Sequence, residues 1–128
     1  MKKLLVMVLA LLATGCTNSA AIRTCNAEFI KENIESSKVT VVDVRDNSEF
    51  ISGHIPGAIN IPVNDIKSIA DYVVDENDII IVYCRSGVRS RKAALTLVNL
   101  GYKNVYDFGG IDNWEYDLEM GDSDVSDD

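Results

Sequence analysis

The segment Cys84-Arg85-Ser86-Gly87-Val88-Arg89 combines the residue types and spacing that could do chemistry. A cysteine attacks as its thiolate, and nearby guanidinium groups or a helix N-terminus favour that form. Arg85 and Arg89 bracket the segment, and the residues after Gly87 read as the start of a helix. Backbone N–H groups of such a loop can converge on one sulfur, as they converge on oxygen in an oxyanion hole. Gly87 supplies the conformational freedom that lets the loop curl. The chemistry expected is nucleophilic attack by Cys84 on an electrophilic atom of a small anion, with Ser86, Gly87 and Val88 forming the cradle. Arg85 is expected at the entrance, either meeting substrate or standing in solvent. Arg89 is expected to face its own loop and stabilise bound anions, or to serve only as a structural cation at the helix start. This chemistry calls for neither a metal nor an organic cofactor.

The flanking elements place this loop. Ile79-Ile80-Ile81-Val82-Tyr83 is a continuous apolar run that reads as a buried strand. Arg91 to Leu100 reads as a helix ended by Gly101. Upstream, residues 21–24 suit a short first strand, and Asn26 can cap a helix over 27–36. The β-branched stretch Val39-Thr40-Val41-Val42 reads as a central strand ending at Asp43. Residues 47–52 suit one helical turn, 58–61 a short strand between Pro56-Gly57 and Pro62, and 64–72 a helix. Val105-Tyr106-Asp107-Phe108 is a last strand, followed by Gly109-Gly110 and a turn at Trp114. Strands alternating with helices predict an α/β domain, its mainly parallel sheet covered on both faces. Such sheets carry ligands at the carboxyl ends of their strands, where Cys84 falls.

A chain of 128 residues suits one domain. The net charge of -8 is concentrated at the C-terminus, where Asp117, Glu119, Asp122, Asp124, Asp127 and Asp128 occur with no Lys or Arg. No clustered basic face suggests a nucleic-acid partner. At the other end, Lys2 and Lys3 precede an apolar run over 4–12, too short to span a bilayer, and then Ala13-Thr14-Gly15-Cys16. This resembles the lipobox of bacterial lipoproteins, departing from it at Ala13, where a branched apolar residue is usual. That resemblance implies a signal peptide over 1–15, acylation of Cys16 and a lipid anchor in the cell membrane, with 16–23 as a tether. The alternative is an ordinary secretory signal, with Cys16 removed or left free. Both place the mature domain outside the cytoplasm. Residues 24–118 are then the folded domain, and 119–128 an acidic disordered tail.

Separated segments, in order, resemble the single-domain rhodaneses, a family of sulfurtransferases. They are Asp43-Val44-Arg45 with Glu49-Phe50, then Gly53-His54-Ile55-Pro56-Gly57-Ala58 through Pro62, the Cys84 loop, and Gly109-Gly110-Ile111 with Trp114. The resemblance implies a five-stranded α/β domain in which Cys84 forms a persulfide. It implies a small sulfur-containing anion such as thiosulfate as donor, and a thiol, sulfite or cyanide as acceptor. Another reading is a persulfide carrier or sensor that does not turn over. A further one is an oxyanion phosphatase or arsenate reductase, but those usually place one more residue between Cys and Arg than the four found here.

The remaining candidates divide between chemistry and scaffold. His54, the only histidine, could pair with Cys84; a buried hydrogen bond fixing its own turn is the favoured role. Asp43 and Arg45 could face substrate, but an ion pair at a strand end fits them better. Trp114 with Gly109-Gly110 reads as a packing corner near the site, not a ligand platform. In the rhodanese sheet the first strand lies beside the last, with the Cys84 strand beyond it. Cys25 and Cys84 are then two strand spacings apart, about 9–10 Å, beyond the roughly 7 Å that a disulfide tolerates. Both are expected to stay unpaired, leaving open a role for Cys25 as a mobile resolving thiol.

Overall fold

A computed structural model of the chain describes residues 22–122; the signal peptide, Cys16 and most of the tether expected above lie outside them. Strands β1 (Ile22–Thr24), β2 (Val39–Asp43), β3 (Ile59–Asn60), β4 (Ile79–Cys84) and β5 (Asn104–Gly110) form one sheet. Their order is β1-β5-β4-β2-β3 and every pairing is parallel. The helices are α1 (Ala27–Asn33), α2 (Asn47–Ser52) and α3 (Val88–Asn99), with 3₁₀ segments at Val63–Asp71 and Ile111–Asn113. The expected α/β class, five strands and covered faces are all present.

Side-chain parity along β4 builds both layers. Ile80, Val82 and Cys84 face one side, packing with Ile66 and Ile69 of the long 3₁₀ segment and with Ala93, Ala94 and Leu97 of α3. Ile81 and Tyr83 face the other, packing with Ala27 and Ile30 of α1, Phe50 of α2, and Ile55 and Ala58. A strand covered on both faces must be apolar throughout, which is why β4 has no polar alternation. After β2 the chain moves outward to β3, and after β4 it moves the other way to β5. Cys84 therefore sits at the carboxyl end of β4, where the winding reverses.

Several boundaries differ from expectation. Asn26 caps α1 as predicted, accepting from Phe29 N–H at 2.9 Å, but the helix ends at Asn33. The Ser36 N–H bonds to Asn33 O at 3.0 Å, closing a tight turn in place of a further helical one. Residues 63–71 form a 3₁₀ helix in place of the predicted α-helix over 64–72. Ile66 and Ile69, three apart, line one edge of a three-residue repeat and are both buried. Strand β5 continues past Phe108 because a bulge restores the pairing: Val82 opposes Asp107, Tyr83 opposes Gly109 and Cys84 opposes Gly110.

The domain also extends beyond both expected limits, since 22–23 belong to β1 and residues past 118 are docked. The backbones of His54 and Glu119 exchange hydrogen bonds of 2.9 and 2.8 Å, and Gly121 N–H bonds to Ile51 O at 2.9 Å. The start of the supposed disordered tail is thus an antiparallel strap over the Gly53-His54 turn.

Candidate active site

The sulfur of Cys84 accepts two backbone hydrogen bonds, from Gly87 N–H at 3.0 Å and Ser90 N–H at 3.3 Å. Gly87, at the cap of α3, has φ 101°, a left-handed conformation that a side chain would oppose. Its carbonyl accepts from the Ser90 hydroxyl at 3.2 Å and from Arg91 N–H at 3.1 Å, tying the loop to the first turn of α3. Cys84 is itself buried. Arg85, Ser86 and Val88 are exposed, and within the loop it is the Gly87 amide that bonds to the sulfur. Ser90, outside the predicted set, supplies its second amide.

The loop rests on the bulged end of β5. A Cβ added to Gly110 would lie 2.6 Å from Arg85 O, inside any real contact, and one on Gly87 would lie 3.8 Å from Gly109 Cα. The close approach of two backbones is what requires Gly110. The Gly-Gly pair is legible as the end of the last strand; its contact with the Arg85 carbonyl is not, because it is made across the sheet.

Arg89 does not point into its own loop as expected. Its guanidinium forks onto Glu49 of α2, Nη1 to Oε1 at 2.8 Å and Nη2 to Oε2 at 3.2 Å. Glu49 Oε1 also accepts from Asp46 N–H at 3.1 Å, completing a capping box on α2. The Arg89 fork is the main cause that holds the Glu49 carboxyl down at about 2. The same pair raises the Arg89 guanidinium above its usual value, with a smaller contribution from Cys84. In the sequence Glu49 stands out only as part of the Glu49-Phe50 motif. Its position three after Asp46 signals a cap, and nothing local signals Arg89.

Asp43 and Arg45 have the scaffold geometry. The Arg45 guanidinium bonds to Asp43 at 2.9, 3.1 and 2.6 Å and to Gly53 O at 2.7 Å, and both residues are buried. Tyr83, opposite Asp43 in register, accepts from Ile55 N–H at 3.0 Å through its hydroxyl. Burial, with Asp43 nearby, pushes the Tyr83 phenol far up, so it stays neutral. His54 Nδ1 donates to Phe50 O at 2.8 Å, and its ring stacks on Phe50 at 3.7 Å. No described hydrogen bond joins His54 to Cys84. Trp114 is half-buried, donates to Asp117 O at 3.0 Å and meets Tyr116 edge-on. It borders a separate groove of about 720 Å³ whose lining includes Lys31 and Pro56 but no residue of the Cys84 loop. Cys25 and Cys84 are both free and belong to cores on opposite faces of the sheet. Burial, and then Asp107, push the Cys25 thiol up to about 11, which keeps it protonated and poorly nucleophilic.

A thiolate held by two amides at the start of a helix can accept a sulfur atom and carry it as a persulfide. Residues 26–117 match the rhodanese-like domain family. This chain is a rhodanese-like protein. Thiosulfate sulfurtransferase PspE of Escherichia coli is 41% identical over 71 residues, covering 55% of this chain and 68% of PspE. The putative sulfur carrier protein YrkF of Bacillus subtilis is 33% identical over 99 residues, or 76% of this chain, which spans only 53% of YrkF. An E. coli rhodanese solved with anions superposes with a TM-score of 0.62 at 36% identity, covering 65% of this chain and all but 1% of that one (99%). Sulfur transfer or carriage is thus what the names of these relatives of the rhodanese state.

Gly110→Ala should push the Arg85 carbonyl off β5 and misplace both amides. The expected result is at least a severalfold slower reaction of Cys84 with iodoacetamide near neutral pH, with unchanged far-UV circular dichroism. An unchanged rate would show that the Gly110 contact does not set the loop. The Glu49–Arg89 pair carries a pH signature of definite sign. Because the folded Glu49 pKa is about 2, against about 4.3 in an unfolded chain, the pair stabilises above that range and loses its contribution as pH falls toward 2. The stability advantage of wild type over Glu49→Gln, from urea unfolding, should be present at about pH 6 and shrink at about pH 3. An advantage independent of pH would exclude the ion pair as its source.

Proposed function

We propose that this protein is a sulfurtransferase acting outside the cytoplasm, which moves a sulfane sulfur from a donor such as thiosulfate to a thiophilic acceptor through a Cys84 persulfide. The observation that carries this reading is the pair of amides, Gly87 and Ser90, on Cys84 Sγ. The identity to PspE supports thiosulfate as donor. Cys84 thiolate attacks the outer sulfur of thiosulfate. The new Cys84–sulfur bond forms as the sulfur–sulfur bond of the donor breaks, and sulfite leaves with the bonding pair. The product is a terminal persulfide anion, so charge balances. Cyanide or another nucleophile then attacks the outer sulfur and returns Cys84 as thiolate. Splitting one transfer into two displacements predicts ping-pong kinetics. The loop amides hold negative charge on sulfur at both stages, and Arg85, which is exposed, meets the incoming anion.

Likeness to a putative sulfur carrier favours a second reading, in which the same persulfide is delivered to a protein partner without rapid turnover of small acceptors. Both begin with the same step. Exposing the protein to thiosulfate without reductant should add one sulfur atom to its intact mass, removable by cyanide. Cys84→Ser should keep the fold, gain nothing and lose essentially all transfer. A free, titratable Cys84 that gains no mass would count against thiosulfate as donor, and transfer by Cys84→Ser would count against the persulfide. Steady-state release of thiocyanate separates enzyme from carrier.

The location is proposed from Lys2, Lys3, the apolar run over 4–12 and Gly15-Cys16. A diacylglyceryl group on Cys16 would supply the multiple chains that stable anchoring requires. Cells expressing the chain and fed an alkyne-tagged fatty acid should label it in the membrane fraction, with the label lost in Cys16→Ser. Equal labelling of the variant would exclude acylation at Cys16.

A further inference from the structure

The Cys84 loop holds two guanidinium groups by sequence but only one that is electrostatically free. Arg89 adjoins Ser90, whose N–H touches Cys84 Sγ at 3.3 Å. Its charge is met by Glu49 through two bonds of 2.8 and 3.2 Å. Glu49 is itself held in place by Asp46 N–H at 3.1 Å, so the carboxylate is anchored to α2 and does not drift with Arg89. Arg85 is exposed and takes part in none of the described ion pairs. Of the two loop arginines, only Arg85 is therefore left without a partner among the described ion pairs.

We propose that Glu49 is a specificity-determining residue, which cancels the charge of Arg89 and so limits the preference of the Cys84 site for dianionic over monoanionic sulfur donors. The inference rests on the sulfur-transfer reading of Cys84. Its physical basis is that Coulomb attraction scales with the product of charges. Any charge uncovered beside the loop acts twice as strongly on a dianion as on a monoanion. Glu49 never touches the donor; it acts through Arg89, across the gap between α2 and α3. It thereby decides whether the loop behaves as a singly or a doubly charged anion site.

Glu49→Gln tests this with little change of shape, because the amide oxygen can still accept from Arg89 and from Asp46 N–H. The ratio of kcat/KM for thiosulfate, a dianion, to that for benzenethiosulfonate, a monoanion, should rise about threefold, as one extra unit charge roughly 6 Å away in near-aqueous dielectric gives. Glu49→Asp, which keeps the charge, should leave the ratio near wild type. Arg89→Gln bares the Glu49 charge and should lower it. The double variant Glu49→Gln/Arg89→Gln should return it toward wild type. If Glu49 is only a clamp, both donors lose equally and the ratio stays put, which overturns the inference. A second readout needs no sulfur transfer: the rate of Cys84 alkylation by iodoacetate relative to neutral iodoacetamide. That ratio should rise in Glu49→Gln and fall in Arg89→Gln. Should neither donor turn over, the function proposed above fails while this ratio still decides the role of Glu49; an unchanged alkylation ratio in both single variants refutes it.

Discussion

The N–H groups of Gly87 and Ser90 meet on Cys84 Sγ at 3.0 and 3.3 Å, and much of the surrounding architecture serves to keep them there. The two amides lie three and six residues beyond the sulfur. They can both reach it only if the strand stops at Cys84 and the helix begins almost at once. Gly87 accomplishes the reversal with a left-handed backbone, and the Ser90 hydroxyl secures it from within the first helical turn. Below, the bulge in β5 turns Gly109 and Gly110 under the loop, and the missing Cβ of Gly110 gives the Arg85 carbonyl its space. A sulfur anion in this position exchanges hydration for fixed dipoles that need no rearrangement when charge develops.

Two arginine–carboxylate pairs divide the work around this centre, and their environments explain the division. Asp43 and Arg45 are buried, and the guanidinium is saturated by a carboxylate and the Gly53 carbonyl. Removing either partner would leave an unpaired buried charge, so the pair acts as a rigid strut. It holds the Gly53-His54 turn, together with the Tyr83 hydroxyl on Ile55 N–H. Glu49 and Arg89 are partly exposed at 25% and 32%, close enough to solvent for their field to be screened, and Arg89 adjoins Ser90, whose amide bonds to Cys84. One pair fixes shape, and the other sets charge where an anion arrives.

The two thiols are separated as firmly as the two ion pairs. Cys84 belongs to the layer under α3 and Cys25 to the layer under α1 and α2, with the sheet between them. Burial holds Cys25 in its protonated form. The two described thiols differ in surroundings: converging amides for Cys84, an apolar pocket and a carboxylate for Cys25.

What could be read from the sequence was local or strictly ordered. The apolar run of β4, Gly87 after a cysteine, the Asn26 cap and the alternation of strands with helices each follow from neighbours within a turn or a strand. They place Cys84 at a strand-to-helix junction in a parallel sheet without reference to distant residues. Asp43 with Arg45, two apart, was legible for the same reason. The partner of Arg89 was not, because Glu49 lies 40 residues away and helix α2 comes within reach only when β2 and β4 are neighbours. The bulge that carries β5 to Gly110 and the docking of Glu119 on His54 are likewise contacts between distant segments. By itself the sequence determined which cysteine ends β4 and which turn follows it, since covalent neighbours decide both. Tertiary structure alone decided that Arg89 is the loop arginine with a carboxylate partner, since pairing depends on distances that close only when the sheet and its helices pack.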